Sequence, residues 1–168
     1  MSLRPRLLEN HPGELYNSIM CDELMGEEIR FVQDNISCSK KGTIRGMHLQ
    51  VCPYQEKLVT CLQGSLYDVA VCVDKQNKYF GKTFTQVLTS QDNKSFWIPG
   101  GYAHGFQALE DDTQIYYKCT SFYAPDTERA FHPLDPFIAI EWPAPCTFMS
   151  EKDSKNKAFD QTGASYLC

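Results

Sequence analysis

LVTCLQGSLYDVAVCVD, residues 58–74, is the stretch that decides the fold class. Two runs rich in Val, Leu, Tyr and Cys flank Gln63-Gly64, and residues of that kind favour extended chain on a partly buried surface. The pair reads as a β-hairpin turning at Gln63-Gly64. Outward from it, short runs recur at similar spacing: KTFTQVLTS (82–90), KSFWIPGGYAHGFQAL (94–109) and TQIYYKCTSFYA (113–124). The turn-forming stretches DKQN, SQDN and EDDT separate them. Without 10–15-residue amphipathic helices in between, the pattern predicts an all-β sandwich or barrel, with a jelly roll as the leading architecture. SIMCDELMGEEIRFV (18–32) predicts a helical turn before a strand entering at Ile29. The tail from Ser154, polar and without period, predicts a loosely held extension over about 154–168.

A chain of 168 residues with 42% hydrophobic content fits one globular domain, residues 1–168, with the jelly-roll core at about 28–145. The net charge of −5 and the absence of a basic block exclude the electrostatic footprint of a nucleic-acid or anionic-membrane binder. No apolar run reaches the roughly 18 residues of a membrane span, and MSLRPRLLENHPGEL lacks a signal-peptide apolar segment, so a cytoplasmic protein is expected. The eight cysteines are scattered without a C-x-x-C pair and are expected to be reduced, mostly buried thiols.

GTIRGMHLQ (42–50) is the first candidate for chemistry. An arginine in an apolar run is costly unless an anion compensates it, and a strand glycine marks close approach of a ligand or of another backbone. Taken alone, His48 is an ordinary strand histidine. PGGYAHGF places His104 on a strand entered through a tight turn. Histidine suits proton transfer near neutral pH, and Arg45, Lys57 and Lys118 supply positive charge for an oxyanion or phosphate. Tyr116, Tyr117 and Tyr123 offer a phenolic acid or a stacking surface.

These residues resemble one family. FVQDNISCSKKGTIRGMHLQ, EKLVTCLQGSLYDVAV, FWIPGGYAHGF, YYKCTSFYAPDTER and IEWP…MSEKD follow the order and nearly the spacing of the dTDP-4-dehydrorhamnose 3,5-epimerases, over about residues 14 to 153. The resemblance implies a cupin-type double-stranded β-helix, a jelly-roll barrel with few short helical segments. It implies epimerisation of dTDP-4-keto-6-deoxyglucose to dTDP-4-keto-rhamnose at C3 and C5 through an enolate, by a homodimer without cofactor. His48 of R-G-x-H is then the general base, oriented by Asp153 of S-x-K-D. Tyr117 is the proton donor, Lys57 stabilises the enolate oxygen, and Tyr123 stacks on thymine. Glu14, Gln33, Asp34, Asn35, Arg45, His104, Glu128 and Lys152 match the family's substrate and nucleotide contacts. The alternatives are a single-site 3- or 5-epimerase on a related nucleotide sugar, or a metal-dependent cupin oxygenase. The metal reading is weakened by Gln50, which stands where an H-x-H ligand pair needs its second histidine, leaving His48, Glu56 and His104 as conceivable ligands. The sequence departs from the family at LLENHPGEL, which lacks the arginine that reaches the diphosphate of a neighbouring subunit's ligand; Arg4 and Arg6 are the substitutes at hand.

Overall fold

A computed structural model of the chain describes residues 4–9 and 29–167. The strands among them form two facing sheets. The first runs in the order β1 (Arg6–Glu9), β7 (Lys94–Ile98), β4 (Lys57–Gln63), β9 (Thr113–Cys119), β2 (Gln33–Ser39). The second runs β10 (Glu128–Ala130), β3 (Thr43–Gln50), β8 (Tyr102–Ala108), β5 (Ser65–Cys72), β6 (Thr83–Thr89), and β11 (Phe148–Met149) lies parallel to β3. From β2 to β5, and again from β7 to β10, the chain alternates between sheets, which gives the jelly roll that the patterning predicts. One short helix, α1 (Glu151–Ser154), follows β11.

The hairpin expected over residues 58–74 does not form. β4 pairs with β7 and β9, whereas β5 pairs with β8 and β6, so Gly64 carries the chain from one sheet to the other. The physical reason lies in the inward residues. Val59 and Cys61 of β4 meet Leu66, Ala70 and Cys72 of β5 across the sandwich, where both sets bury their apolar surface. Gly64 has φ +72, and a side chain there would put its Cβ 2.9 Å from Thr113 Oγ1.

β5 reads as nearly continuous apolar sequence because both of its faces are covered. Its outward residues Val69 and Val71 pack with Met47, Leu49 and Val51 of the β3 region beneath Phe131, Phe159 and Tyr166. The tail is therefore docked and not loosely held: Phe159 is 5% and Tyr166 2% exposed. Rings so buried typically contribute several kcal/mol, about 3–5 on truncation to alanine. Backbone groups are matched too. The buried Asp135 carboxylate accepts N–H bonds from Phe137, Ile138 and Phe159, and Tyr166 Oη accepts one from Asp160 at 2.8 Å. The polar composition from Ser154 onward hid these two aromatic anchors.

Strand β2 begins at Gln33; Ile29 and Phe31 precede it and pack on Leu58 and Trp97. The expected helical turn lies in residues outside the described ones. Cys61, Cys72 and Cys119 are free and buried, and Cys38 and Cys146 are free and exposed. Cys52 is disulfide-bonded, which corrects the expectation that all cysteines are reduced.

Candidate active site

The glycine of GTIRGMHLQ marks the approach of another backbone. Gly46 has φ +131, and a Cβ on it would lie 2.6 Å from Gly105 Cα on β8. The register between β3 and β8 shifts between Arg45 and His48, after which His48 and His104 stand directly opposite each other. The bulge thus turns two histidines to the same interior face.

Each histidine has its own carboxylate. His48 Nε2 is 2.6 Å from Asp153 Oδ1, and Asp153 Oδ2 accepts from Gly46 N–H at 3.5 Å. Asp153 sits on α1, whose start is fixed by Ser150 Oγ accepting the Asp153 N–H at 3.0 Å. Burial pushes the Asp153 carboxyl up, but the His48 contact, Ser150 and the Gly46 N–H together hold it below the usual carboxylate range. The ionised carboxylate is an acceptor only, so Nε2–H donates and His48 Nδ1 has no hydrogen-bond partner among the described residues. On the neighbouring strand, His104 Nε2 lies 2.7 Å from Asp68 Oδ1. Asp68 is fully buried, and its Oδ2 has no hydrogen-bond partner among the described residues. Sequence reasoning missed Asp68; the signal was a charged residue at the inward parity of SLYDVAVC, between Leu66 and Ala70.

The facing sheet brings Lys57 and Tyr117, and two adjoining cavities of about 310 and 300 Å3 share His48, Lys57 and Tyr117 in their walls. Burial pushes the Lys57 ammonium below the ordinary lysine range, against the opposing pull of Cys119, Glu128 and Asp68. Burial pushes the Tyr117 phenol up, followed by Cys119, with Arg45 acting the other way. Tyr117 therefore keeps its proton at neutral pH. The cavity combines a free imidazole nitrogen, a neutral phenol and an ammonium, which is the equipment for moving a proton across a carbon beside a carbonyl.

The remaining predicted residues divide by strand parity. Gln33 and Asn35 face the first cavity, and Gln33 Oε1 accepts the Tyr123 N–H at 2.7 Å. Asp34, between them, points to the outer face, where its Oδ1 is 3.3 Å from Lys118 Nζ. Neither Asp34 nor Lys118 lines the cavities. Lys118 is occupied instead by Asp34 and the Tyr116 hydroxyl. Tyr123 is exposed, its Oη donating to Glu128 Oε2 at 3.1 Å, and Glu128 also pairs with Lys152. Arg45 is exposed beside the second cavity and has no hydrogen-bond or ion-pair partner among the described residues. Glu14 lies outside the described residues.

Gln50, in the place of a second metal-ligating histidine, does a different job. Its Nε2 donates to Ser121 Oγ and to the Phe122 carbonyl, and its Oε1 accepts the Ala124 N–H at 2.8 Å, holding the turn that carries Tyr123. No group of three or more His, Cys, Asp or Glu side chains arranged to hold a metal ion occurs among the described residues.

The chain is similar to known proteins of one family. The family model described as dTDP-4-dehydrorhamnose 3,5-epimerase matches residues 2–161. The dTDP-4-dehydrorhamnose 3,5-epimerase of Shigella flexneri is 41% identical over 147 residues, covering 87% of this chain and 81% of its own. The crystal structure of the enzyme of that name from Elizabethkingia anophelis superposes with TM-score 0.85 at 38% identity, covering 96% of this chain and 91% of the other. A dTDP-6-deoxy-D-glucose-3,5-epimerase from Legionella pneumophila, solved in complex with dTDP-4-keto-L-rhamnose, gives TM-score 0.82 at 39% identity, with 92% and 84% covered.

Proposed function

We propose that this chain, which belongs to the dTDP-4-dehydrorhamnose 3,5-epimerase family, inverts C3 and C5 of a dTDP-linked 4-keto-6-deoxyhexose. The observation that carries the reading is that His48 on one sheet and Tyr117 on the other line the same cavity, with Lys57 beside both. A 4-keto group acidifies the protons on C3 and C5, because removing either gives an enolate whose charge rests on O4. His48 Nδ1 takes the proton while Asp153 holds the ring and offsets its new charge. The Lys57 ammonium donates to O4, with His104 next to it. Tyr117 then returns a proton to the opposite face of the carbon, which inverts the centre. The phenoxide regains its proton from solvent and His48 releases the one it took, so the cycle closes with only proton transfers, and none of its steps calls on a redox or metal cofactor.

Tyr123, Gln33, Asn35 and Glu128 line the first cavity and, with Lys152 paired to Glu128, form the nucleotide end, with the Tyr123 ring as the stacking surface for thymine. Glu14 and Asp34 remain further candidates at that end, Asp34 requiring a rearrangement or a neighbouring subunit to reach a ligand. The homodimer belongs to the same proposal: the outer edge of β2 pairs with no strand among the described residues, and Ile36 on it is 66% exposed. A cytoplasmic location follows from the substrate class and suits the free thiols, whereas the disulfide at Cys52 is the observation against it.

The test is incubation with dTDP-4-keto-6-deoxyglucose in heavy water, with deuterium located by NMR. Label at both C3 and C5 with inversion is expected. Label at one carbon reduces the activity to a single-site epimerase, and no label at either overturns the proposal. Light scattering that gives a monomer at micromolar concentration would remove the dimer.

A further inference from the structure

We propose that a phosphoryl group binds in a third cavity, of about 590 Å3, that shares Arg45 with the reaction cavity and is lined by Lys40 and Lys41. Arg45 lies in the walls of both this cavity and the one holding His48 and Lys57, so the two adjoin at that residue. Lys40 and Lys41 occupy the turn between β2 and β3, are exposed, and make no ion pair among the described residues. One carboxylate shares the cavity: Asp111 Oδ1, which accepts the Lys41 backbone N–H at 3.0 Å. Three cations against one acid give a locally positive pocket on a chain of net charge −5.

A second, independent observation points to a ligand with acceptor oxygens. Ser39 lines this cavity, is 5% exposed, and its Oγ has no hydrogen-bond partner among the described residues. Ser37, two residues earlier on the same inward face of β2, lines the reaction cavity and its Oγ is also without a partner. Buried hydroxyls are normally satisfied, and the orphaned Ser39 hydroxyl beside three cations is satisfied by an anion offering several oxygens. Phosphate fits that description. Two sources supply it: the diphosphate of the nucleotide sugar proposed above, folded back over Arg45, or free phosphate or pyrophosphate.

The probe is inorganic pyrophosphate, titrated by calorimetry into the wild type, Lys40→Met/Lys41→Met and Ser39→Ala, with Lys82→Met as a distant lysine control. The double variant is expected to bind pyrophosphate roughly 10-fold or more weakly and Ser39→Ala a few-fold more weakly, with Lys82→Met unchanged. Repeating the titration with the protein saturated by dTDP separates the sources. Competition assigns the subsite to the nucleotide's own diphosphate, and independent binding assigns it to a free anion; both support the site. Pyrophosphate that fails to bind the wild type, or binds the double variant equally well, overturns it. Because this readout needs no turnover, loss of the epimerase reading in the heavy-water experiment would leave it standing.

Discussion

The two histidine–aspartate pairs look alike and are built differently. His48–Asp153 and His104–Asp68 have nearly the same contact, 2.6 and 2.7 Å, and their histidines are cross-strand neighbours. The His48 side chain is 27% exposed and its carboxylate comes from α1, 105 residues further along the chain, with both oxygens bonded. The His104 side chain is only 9% exposed, and its carboxylate comes from the adjacent strand with one oxygen that has no hydrogen-bond partner among the described residues. The accessible, fully satisfied pair is equipped to exchange protons with a substrate. The enclosed pair is placed to hold a ring in one orientation beside Lys57. Position in the barrel, more than residue type, separates a base from a binding group.

The largest expected effects test the base itself. His48→Asn is expected to reduce both deuterium exchange and epimerisation by roughly 10^4-fold, since no group is left to form the enolate. Tyr117→Phe is expected to fail differently: the enolate still forms and His48 returns a deuteron to the original face, so exchange at C3 or C5 outruns inversion. NMR of the recovered sugar reads both. Normal inversion by Tyr117→Phe, or wild-type exchange by His48→Asn, would break the assignment.

Next in size is Lys57→Met, which removes the charge offered to O4 and is expected to lower turnover by roughly 10^2- to 10^3-fold. Near-normal turnover would transfer enolate stabilisation to His104 and make the enclosed pair the more important one.

The comparison is sharpened by removing each carboxylate's charge in turn. Asp153→Asn leaves His48 without the anion that fixes its tautomer, and a fall of roughly 100-fold in turnover is expected. Asp68→Asn loosens a group that only assists, with a fall of roughly 10-fold carried mainly by KM. Equal losses in the two variants, measured by steady-state kinetics, would show that the two histidines share the chemistry.

How much of this was legible beforehand depended on the range of the contact. The strands and the cation at Lys57 were readable because their signals are local: alternation, turn residues, and a charge where an apolar side chain is expected; His48 and Tyr117 were singled out from other histidines and tyrosines only through the family resemblance. The sheet assignment of β4 and β5 was not, because two adjacent apolar runs look the same whether they pair or face each other across a core. The docked tail was missed for a related reason. Phe159 and Tyr166 are two isolated rings in polar sequence, and only the folded outer face of β3, β8 and β5 shows what they cover. Asp153 could be paired with His48 only through the family resemblance, since nothing local in SEKD points 105 residues back. Asp68 was open to discovery from parity alone and was passed over as part of an apolar strand.

Two smaller effects follow from acidity. The Lys57 ammonium, lowered by burial, is expected to set the alkaline limit of turnover below the ordinary lysine value of about 10.4, and Lys57→Arg is expected to move that limit upward at reduced rate. An alkaline limb at or above that value would place Lys57 in contact with more water than its surroundings indicate. Smallest is the contribution of Asp153 to stability. Its folded-state pKa is depressed, so the unfolded chain binds the proton more readily. The stabilisation is therefore complete above the unfolded value of about 3.9 and disappears as pH falls through the lower folded value. Asparagine at this position has no such dependence. The gap in Tm between wild type and Asp153→Asn is expected to be steady from about pH 7 to pH 5 and to close below about pH 4, read by thermal unfolding at each pH. A gap that persisted at the acid end would mean that the amide disturbs packing around α1 and not the ion pair with His48, and the contrast between the satisfied and the enclosed carboxylate would lose its electrostatic basis.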